Sequence, residues 1–293
     1  MPSCRQVRIF ATTPFASAIG PEKTGESLAG RVARLEMAGF SLEEAGTSRW
    51  RERWWRGGFP RSFLAADDPE SAQWREDFVA TFLERDLRRL GVEVAPSVLR
   101  RFWHMVAHYH GQIWNASEIG RSLGLAHTTV RRHLDILTGA LVMRELPPWF
   151  ENLGKRQVKS PKVYLRDSGL LHTLLGVDSP GTLAGHPKLG ASWEGFALEE
   201  TLHAGGGREA YFWSTQSGAE LDLLLFRGGK RLGVEFKYAD APTLTKSMHI
   251  ARTDLGLDQM LVVHPGVKSY PLADWAEAVA LRDVPARLSR GRE

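Results

Sequence analysis

Apolar positions recur at helical spacing through the first half of the chain. In DDPESAQWREDFVATFLERDLRRLG, Trp74, Phe78, Phe82 and Leu87 fall near that spacing. Asp68 is placed to cap this helix, Pro69 suits its first turn and Gly91 ends it. A second helix is expected from about Pro96 to His110, with Leu99, Phe102, Trp103 and Val106 on one face and Gly111 as its stop. Upstream, Val32 to Met37 alternates like a strand, and Ser41 with Glu44 forms a capping box for a short helix. Met1 to about Gly25 is poorly patterned. RWRERWWRGGFPRSFL reads as a helix ending at Gly57-Gly58, with Trp54 and Trp55 filling a core, in preference to a nucleic-acid stacking platform. His104 and His108 lie four apart on one helix face, but no acidic third ligand is near in sequence, so half-buried helix histidines are favoured over a metal pair.

NASEIGRSLGLAHTTVRRHLDILTGALVMREL has the order helix, turn, helix, strand. Asn115 or Ser117 caps the first helix, Gly124 supplies the turn, and Val130, Leu134 and Leu137 face inward from the second. This is the order of a winged helix-turn-helix, whose second helix offers its outward N-terminal residues to a DNA major groove. Those residues are His127, Thr128, Thr129, Arg131 and Arg132, suited to phosphates or guanine edges, while Asp135 opposes DNA on the same surface. A winged helix used only for protein packing fits the same pattern. Lys155, Arg156, Lys159 and Lys162 follow closely and either widen a basic surface or line a solvated loop.

The rhythm changes to two in ELDLLLFRGGKRLGVEFKY. Gly228-Gly229 marks a two-residue hairpin turn. That turn sets Asp222 opposite Glu235 and Glu220 opposite Lys237, all four on one face. Leu221, Leu223, Leu225, Val234 and Phe236 take the other, core-facing side. Like charges directly opposite destabilise a sheet, so Asp222 and Glu235 call for a reason to be neighbours. A hard divalent cation is one, with Lys237 orienting a water or steadying phosphate charge. An exposed mixed-charge face with a Glu220–Lys237 pair is the other, and the pairing alone favours it.

Composition adds limits. The chain has 293 residues, 43% of them hydrophobic, and 38 Lys and Arg against 34 Asp and Glu, for a formal charge of +4. That excess permits a nucleic-acid partner without demanding one. The single cysteine, Cys4, excludes an intramolecular disulfide and a cysteine zinc site, and fits a reducing cytoplasm. No apolar run approaches the roughly 20 residues that span a bilayer, and no signal peptide is evident, so no membrane partner is expected.

Asp222, Glu235-Phe236-Lys237 and a preceding helix bearing Glu194 in GASWEGFALEETL resemble the PD-(D/E)xK nuclease-like superfamily. The resemblance implies Asp222 and Glu235 as metal ligands, with the Phe236 carbonyl a third, Lys237 as the catalytic lysine and Glu194 as an accessory acid. It implies Mg²⁺ or Mn²⁺ as cofactor. The Pro usually written before the Asp is absent, Glu220-Leu221 standing there instead. From about Leu28 onward, LAGRV, WWRGGFP, ERDLRRL, NLGKRQVKSPKVYLRDSGLLHTLLG, LGASWEGFALEE, AELDLLL, GVEFK and VVHPG occur in the order seen in a prokaryotic family. Its members resemble AAA-type ATPases joined to a C-terminal domain of unknown function. No G-x-x-x-x-G-K-[ST] occurs here, and in GPEKTGES the glycines are misplaced, so ATP binding is not expected of this chain.

The expected architecture is mixed α/β. Residues 1–45 form a remnant of an ATPase module, 46–95 a helical linker, 96–150 the winged helix and 151–293 the nuclease-like domain. VKSPKVYLRDSGLL is assigned an early strand and helix of that last domain, PTLTKSMHIARTDLG a crossover helix, and Gln259 to His264 a late strand. The expected function is DNA association with Mg²⁺-dependent phosphodiesterase chemistry. The alternatives are a non-catalytic DNA- or protein-binding scaffold, or an ATPase-family regulatory protein. A protein partner or a homo-oligomer is left open.

Overall fold

The computed structural model describes residues 8–12, 32–36, 38–89, 94–151, 157–205 and 209–289. Strands β1 (Arg8–Thr12) and β2 (Val32–Glu36) pair in parallel. The strand expected near Val32 thus finds its partner inside the stretch that pattern left unassigned. Five helices follow, α1 (Leu42–Ala45), α2 (Trp50–Arg56), α3 (Pro60–Phe63), α4 (Asp68–Thr81) and α5 (Leu87–Arg89), with a π-helical turn at Phe82–Asp86. Ser41 and Glu44 form the expected capping box. The cap of α4 is Asp67, not Asp68: its carboxylate accepts the Glu70 N–H at 2.8 Å, leaving Asp68 and Pro69 in the first turn. Trp54 and Trp55 are core residues, as read from the sequence. Gly91 lies outside the described residues.

The winged module comprises α6 (Pro96–His108), β3 (Gln112–Ile113), α7 (Ala116–Leu123), α8 (His127–Gly139), β4 (Met143–Leu146) and β5 (Lys162–Leu165). Asn115 caps α7 by accepting the Glu118 N–H, and Gly124 closes it in the left-handed region at φ 69°. Val130, Leu134 and Leu137 are fully buried with Phe102, Trp103 and Val106. Each such side chain contributes about 1.5–3 kcal/mol. The three strands are ordered β3-β5-β4, all antiparallel. Strand β5 had been expected in the larger sheet. It completes the small one instead, because Val163 and Leu165 fill the helix-side core of the winged module while Tyr164 points the other way. His104 bonds the Leu174 carbonyl through Nδ1, a packing role.

Helices α9 (Ser168–Leu174) and α10 (Pro180–Ala184) lead to α11 (Leu189–Gly205), which is apolar nearly all round and buried accordingly. The larger sheet holds β6 (Ala210–Ser214), β7 (Glu220–Arg227), β8 (Lys230–Phe236), β9 (Gln259–His264), β10 (Tyr270–Ala273) and β11 (Ala276–Ala280). Helix α12 (Lys246–Leu255) crosses from β8 to its parallel neighbour β9, and α13 (Val284–Ser289) packs on α11. The strand order is β10-β11-β9-β8-β7-β6. One sheet face packs on α11 through Leu223, Leu225, Val234 and Phe236; the other packs on α12 through Leu224, Met260 and Val262.

Candidate functional site

The β7–β8 hairpin turns at Gly228 and Gly229, φ 53° and 76°, and its register runs from Arg227↔Lys230 to Leu223↔Val234, as the sequence implied. The neat division of faces does not hold at its open end. Pairing with β6 shifts between Tyr211↔Leu224 and Trp213↔Leu221, so Asp222 and Leu223 together oppose Phe212. This is a β-bulge, which bends a strand and re-aims its side chains. Leu221 consequently joins Leu224 on the α12 side, whereas Leu223 lies on the α11 side.

The bulge brings Asp222 to Glu194 of α11 through an intermediary absent from the sequence-based site. Lys162, at the start of β5, sets its Nζ 3.2 Å from Glu194 Oε1 and 3.6 Å from Asp222 Oδ1, and also contacts Glu220. Tyr164 donates its hydroxyl to Glu194 Oε1 at 2.6 Å. The second Asp222 oxygen, Oδ2, accepts the Phe236 backbone N–H at 3.0 Å. Glu235 pairs with Lys237 at 2.6 Å. The Glu220–Lys237 pair expected of an exposed face is replaced by Glu220–Lys162 and Glu235–Lys237. Lys237 is 39% exposed; Lys162 is 4% exposed and roofed over the Phe212 ring.

Electrostatics follow from the burial. Desolvation, aided by Asp222 and opposed by Lys237, pushes the Glu235 carboxyl up to about 8. Burial also raises Glu194, with Asp222 adding to it and Lys162 working against it. Burial disfavours the Lys162 ammonium, but Tyr164, Glu194, Asp222 and Glu220 outweigh that and hold it well above its ordinary value. For Lys237 burial is likewise outweighed, by Glu235 and Asp222.

Glu194, Asp222, Glu235 and Lys237 therefore converge, but the donor set does not fit a divalent metal as it stands. Carboxylate oxygens are suitable ligands for Mg²⁺ or Mn²⁺. Here each Asp222 oxygen faces a donor, and an ammonium already lies among Glu194, Glu220 and Asp222. Among the described residues, no group of three or more His, Cys, Asp or Glu side chains is arranged to hold a metal ion. The sequence suggests no role for Tyr164 and puts Lys162 on a basic surface or in a solvated loop, whereas the Lys162 side chain is 4% exposed and turned to the acids. Their only local signal is the alternation in KVYL, which puts both on one face of β5. Beside the cluster, Tyr238 borders a cavity of about 480 Å³ lined also by Trp50, Trp54, Trp55, Leu183 and Leu189.

On α8, His127, Thr128, Arg131 and Arg132 are exposed and Thr129 is half-buried. Arg131 is engaged: it makes paired bonds to Glu145 at 2.7 and 2.9 Å and one to Asp135. Lys159 is exposed, and Lys155 and Arg156 lie outside the described residues.

Residues 47–181 match the family described as Domain of unknown function (DUF8612), and residues 189–284 match Domain of unknown function (DUF4143). The chain is similar to the uncharacterized proteins Mb2031c of Mycobacterium bovis and Rv2008c of Mycobacterium tuberculosis, at 49% identity to each over 254 residues. The match covers 87% of this chain and 58% of each relative, so the chain spans less than two thirds of their length. No solved structure matches this chain significantly.

Proposed function

We propose that this chain is a DNA-binding protein whose winged helix-turn-helix makes the contact and whose larger α/β module is a non-catalytic scaffold. The observation that carries the reading is the outward row at the start of α8. His127, Thr128 and Arg132 are exposed there, over a fully buried Val130, Leu134 and Leu137. Helix N-terminal amides, hydroxyls and a cation together suit phosphate. With Arg131 tied to Glu145, Arg132 is the leading cation of that row. The region 189–284 is a domain usually found in ATPase-associated proteins. That association supports a role beside an ATPase or another protein partner, with no nucleotide site assigned to the described residues. A mobility-shift assay on duplex DNA at low and high salt tests the reading. Binding should weaken as salt rises and fall at least several-fold in Arg132→Ala combined with His127→Ala. No binding at low salt would overturn it.

A second reading, metal-dependent phosphodiester cleavage, is favoured by one observation: Asp222, Glu235 and Lys237 meet at one end of the sheet. In that reading Asp222 and Glu235 would hold Mg²⁺ or Mn²⁺, with Lys237 and Glu194 as catalytic partners, only once the Lys162 ammonium had left Glu194, Glu220 and Asp222. The test is plasmid cleavage with either ion. Activity in the wild type that disappears in Glu235→Ala and in Lys237→Ala would support this reading. Activity that survives both changes, or is absent from the wild type, sinks it.

A further inference from the structure

We infer that Lys162 is the resident cation of the acidic cluster: its ammonium takes the place that a divalent metal would need. This inference does not depend on DNA binding.

Three features carry it. The first is position. Nζ stands among carboxylates from two elements, Glu194 of α11 and Glu220 and Asp222 of β7. Glu194 and Glu220 are within direct bonding reach of the ammonium, and Asp222 at 3.6 Å is its ionic neighbour. The second is enclosure. The side chain is 4% exposed, with the Phe212 ring beneath it, and its backbone is fixed by pairing with Ile113 on one side and Leu146 on the other. A buried lysine without such partners would be strongly disfavoured. The third is exclusion. Mg²⁺ needs oxygen ligands at about 2.0–2.1 Å, and a second cation within a few ångströms of a fixed ammonium is repelled strongly in a weakly screened interior. The same cluster therefore takes one or the other.

The cation and the acids come from different parts of the chain. Lys162 lies in the region 47–181, and Glu194, Glu220, Asp222 and Glu235 lie in the region 189–284. The buried cation at the larger sheet's acidic end is thus supplied by the winged module. An ordinary anchoring ion pair would share the geometry but not the consequence, which is that removing the ammonium creates a divalent-ion site.

The test uses the full chain, stripped with chelator and titrated with Mn²⁺, free ion being read by its paramagnetic resonance signal. Wild type should show no Mn²⁺ uptake that Asp222→Asn alters. Lys162→Met should gain a saturable site at least about tenfold tighter than anything in the wild type. Adding Asp222→Asn to it should abolish that site. If Lys162→Met does not fold in chelator, Mn²⁺ should restore its native unfolding transition, and KCl of equal ionic strength should not. The inference fails if wild type binds Mn²⁺ through Asp222. It fails equally if Lys162→Met gains neither binding nor rescue, or if its new site survives Asp222→Asn.

Discussion

His172 is sealed between Trp54, Trp55 and Ser192, and that burial favours a neutral ring. Trp54 Nε1 donates to Ser192 Oγ at 2.9 Å. In the neutral ring the serine hydroxyl donates to His172 Nε2 at 2.8 Å, and His172 Nδ1–H donates to the Trp55 carbonyl at 3.1 Å. Burial, with Arg75 nearby, lowers this histidine to about 3 despite the Trp55 bond. His110, whose Nδ1 accepts the Leu165 N–H, is lowered to about 3 by burial as well. Both folded values lie below the unfolded value, so between pH 6.5 and 3 the unfolded chain binds more protons. Stability from these rings is complete above the unfolded value and is lost as pH falls toward 3. Going from pH 7 to 5 should cost roughly 2 kcal/mol per ring, at about 1.4 kcal/mol per pH unit below 6.5. Urea unfolding at the two pH values measures this. His172→Gln should be less stable at pH 7 yet lose less on acidification; an unchanged loss would mean that the ring does not titrate on unfolding.

Helix α11 carries Glu194 to the cluster, and its approach to His110, just past α6, and to β5 depends on Gly195. A Cβ there would stand 2.1 Å from His110 Nε2 and 3.3 Å from the Tyr164 ring. Neither ring is a flexible chain end, since each is held by a hydrogen bond. Gly195→Ala should therefore destabilise by about 1–3 kcal/mol, as overpacking does, despite the better helix propensity of alanine. Adding His110→Ala should recover part of that loss in thermal melts, because the two changes share one clash. Additive losses would place the cost elsewhere. Such contacts mark the limit of what the sequence discloses. Caps, turns and apolar rows are local, so Ser41, Asn115, Gly124, the hairpin register and β9 could be read from short windows. The side of the sheet that Leu221 takes could not, because a bulge on β7 is set by its partner β6. Nor could Lys162 at the acids, because β5 reaches them only after pairing across a 15-residue connection from β4, parts of which lie outside the described residues. Three of the four acids and Lys237 were legible because a two-residue turn fixes their order; Glu194 and the second lysine come from other elements.

At the scale of the molecule, one core joins segments that the sequence divides. Trp54 of α2, Leu146 of β4, Tyr164 of β5, Trp193 of α11 and Phe212 of β6 lie in the same buried cluster. Ion pairs stitch the same boundary: Arg144 and Arg166 hold the buried Glu199 of α11, and Arg53 meets Glu200. The two arginines, opposing burial, keep Glu199 down at about 2. A winged module tethered by a linker would expose Tyr164 and take Arg144 away from the buried Glu199. Docked as it is, separating it would strand a buried charge, which costs about 3–5 kcal/mol for a broken pair. The described parts should accordingly unfold together. Tryptophan fluorescence, far-ultraviolet dichroism and hydrogen exchange at α8 and at β8 should report one midpoint in urea. Glu199→Gln should lower that midpoint for every probe at once, because Glu199 binds arginines from the winged side. If the α8 amides opened at a lower urea concentration than those of β8, the winged module would be a separable unit, and Lys162 could leave the acidic cluster without the sheet unfolding.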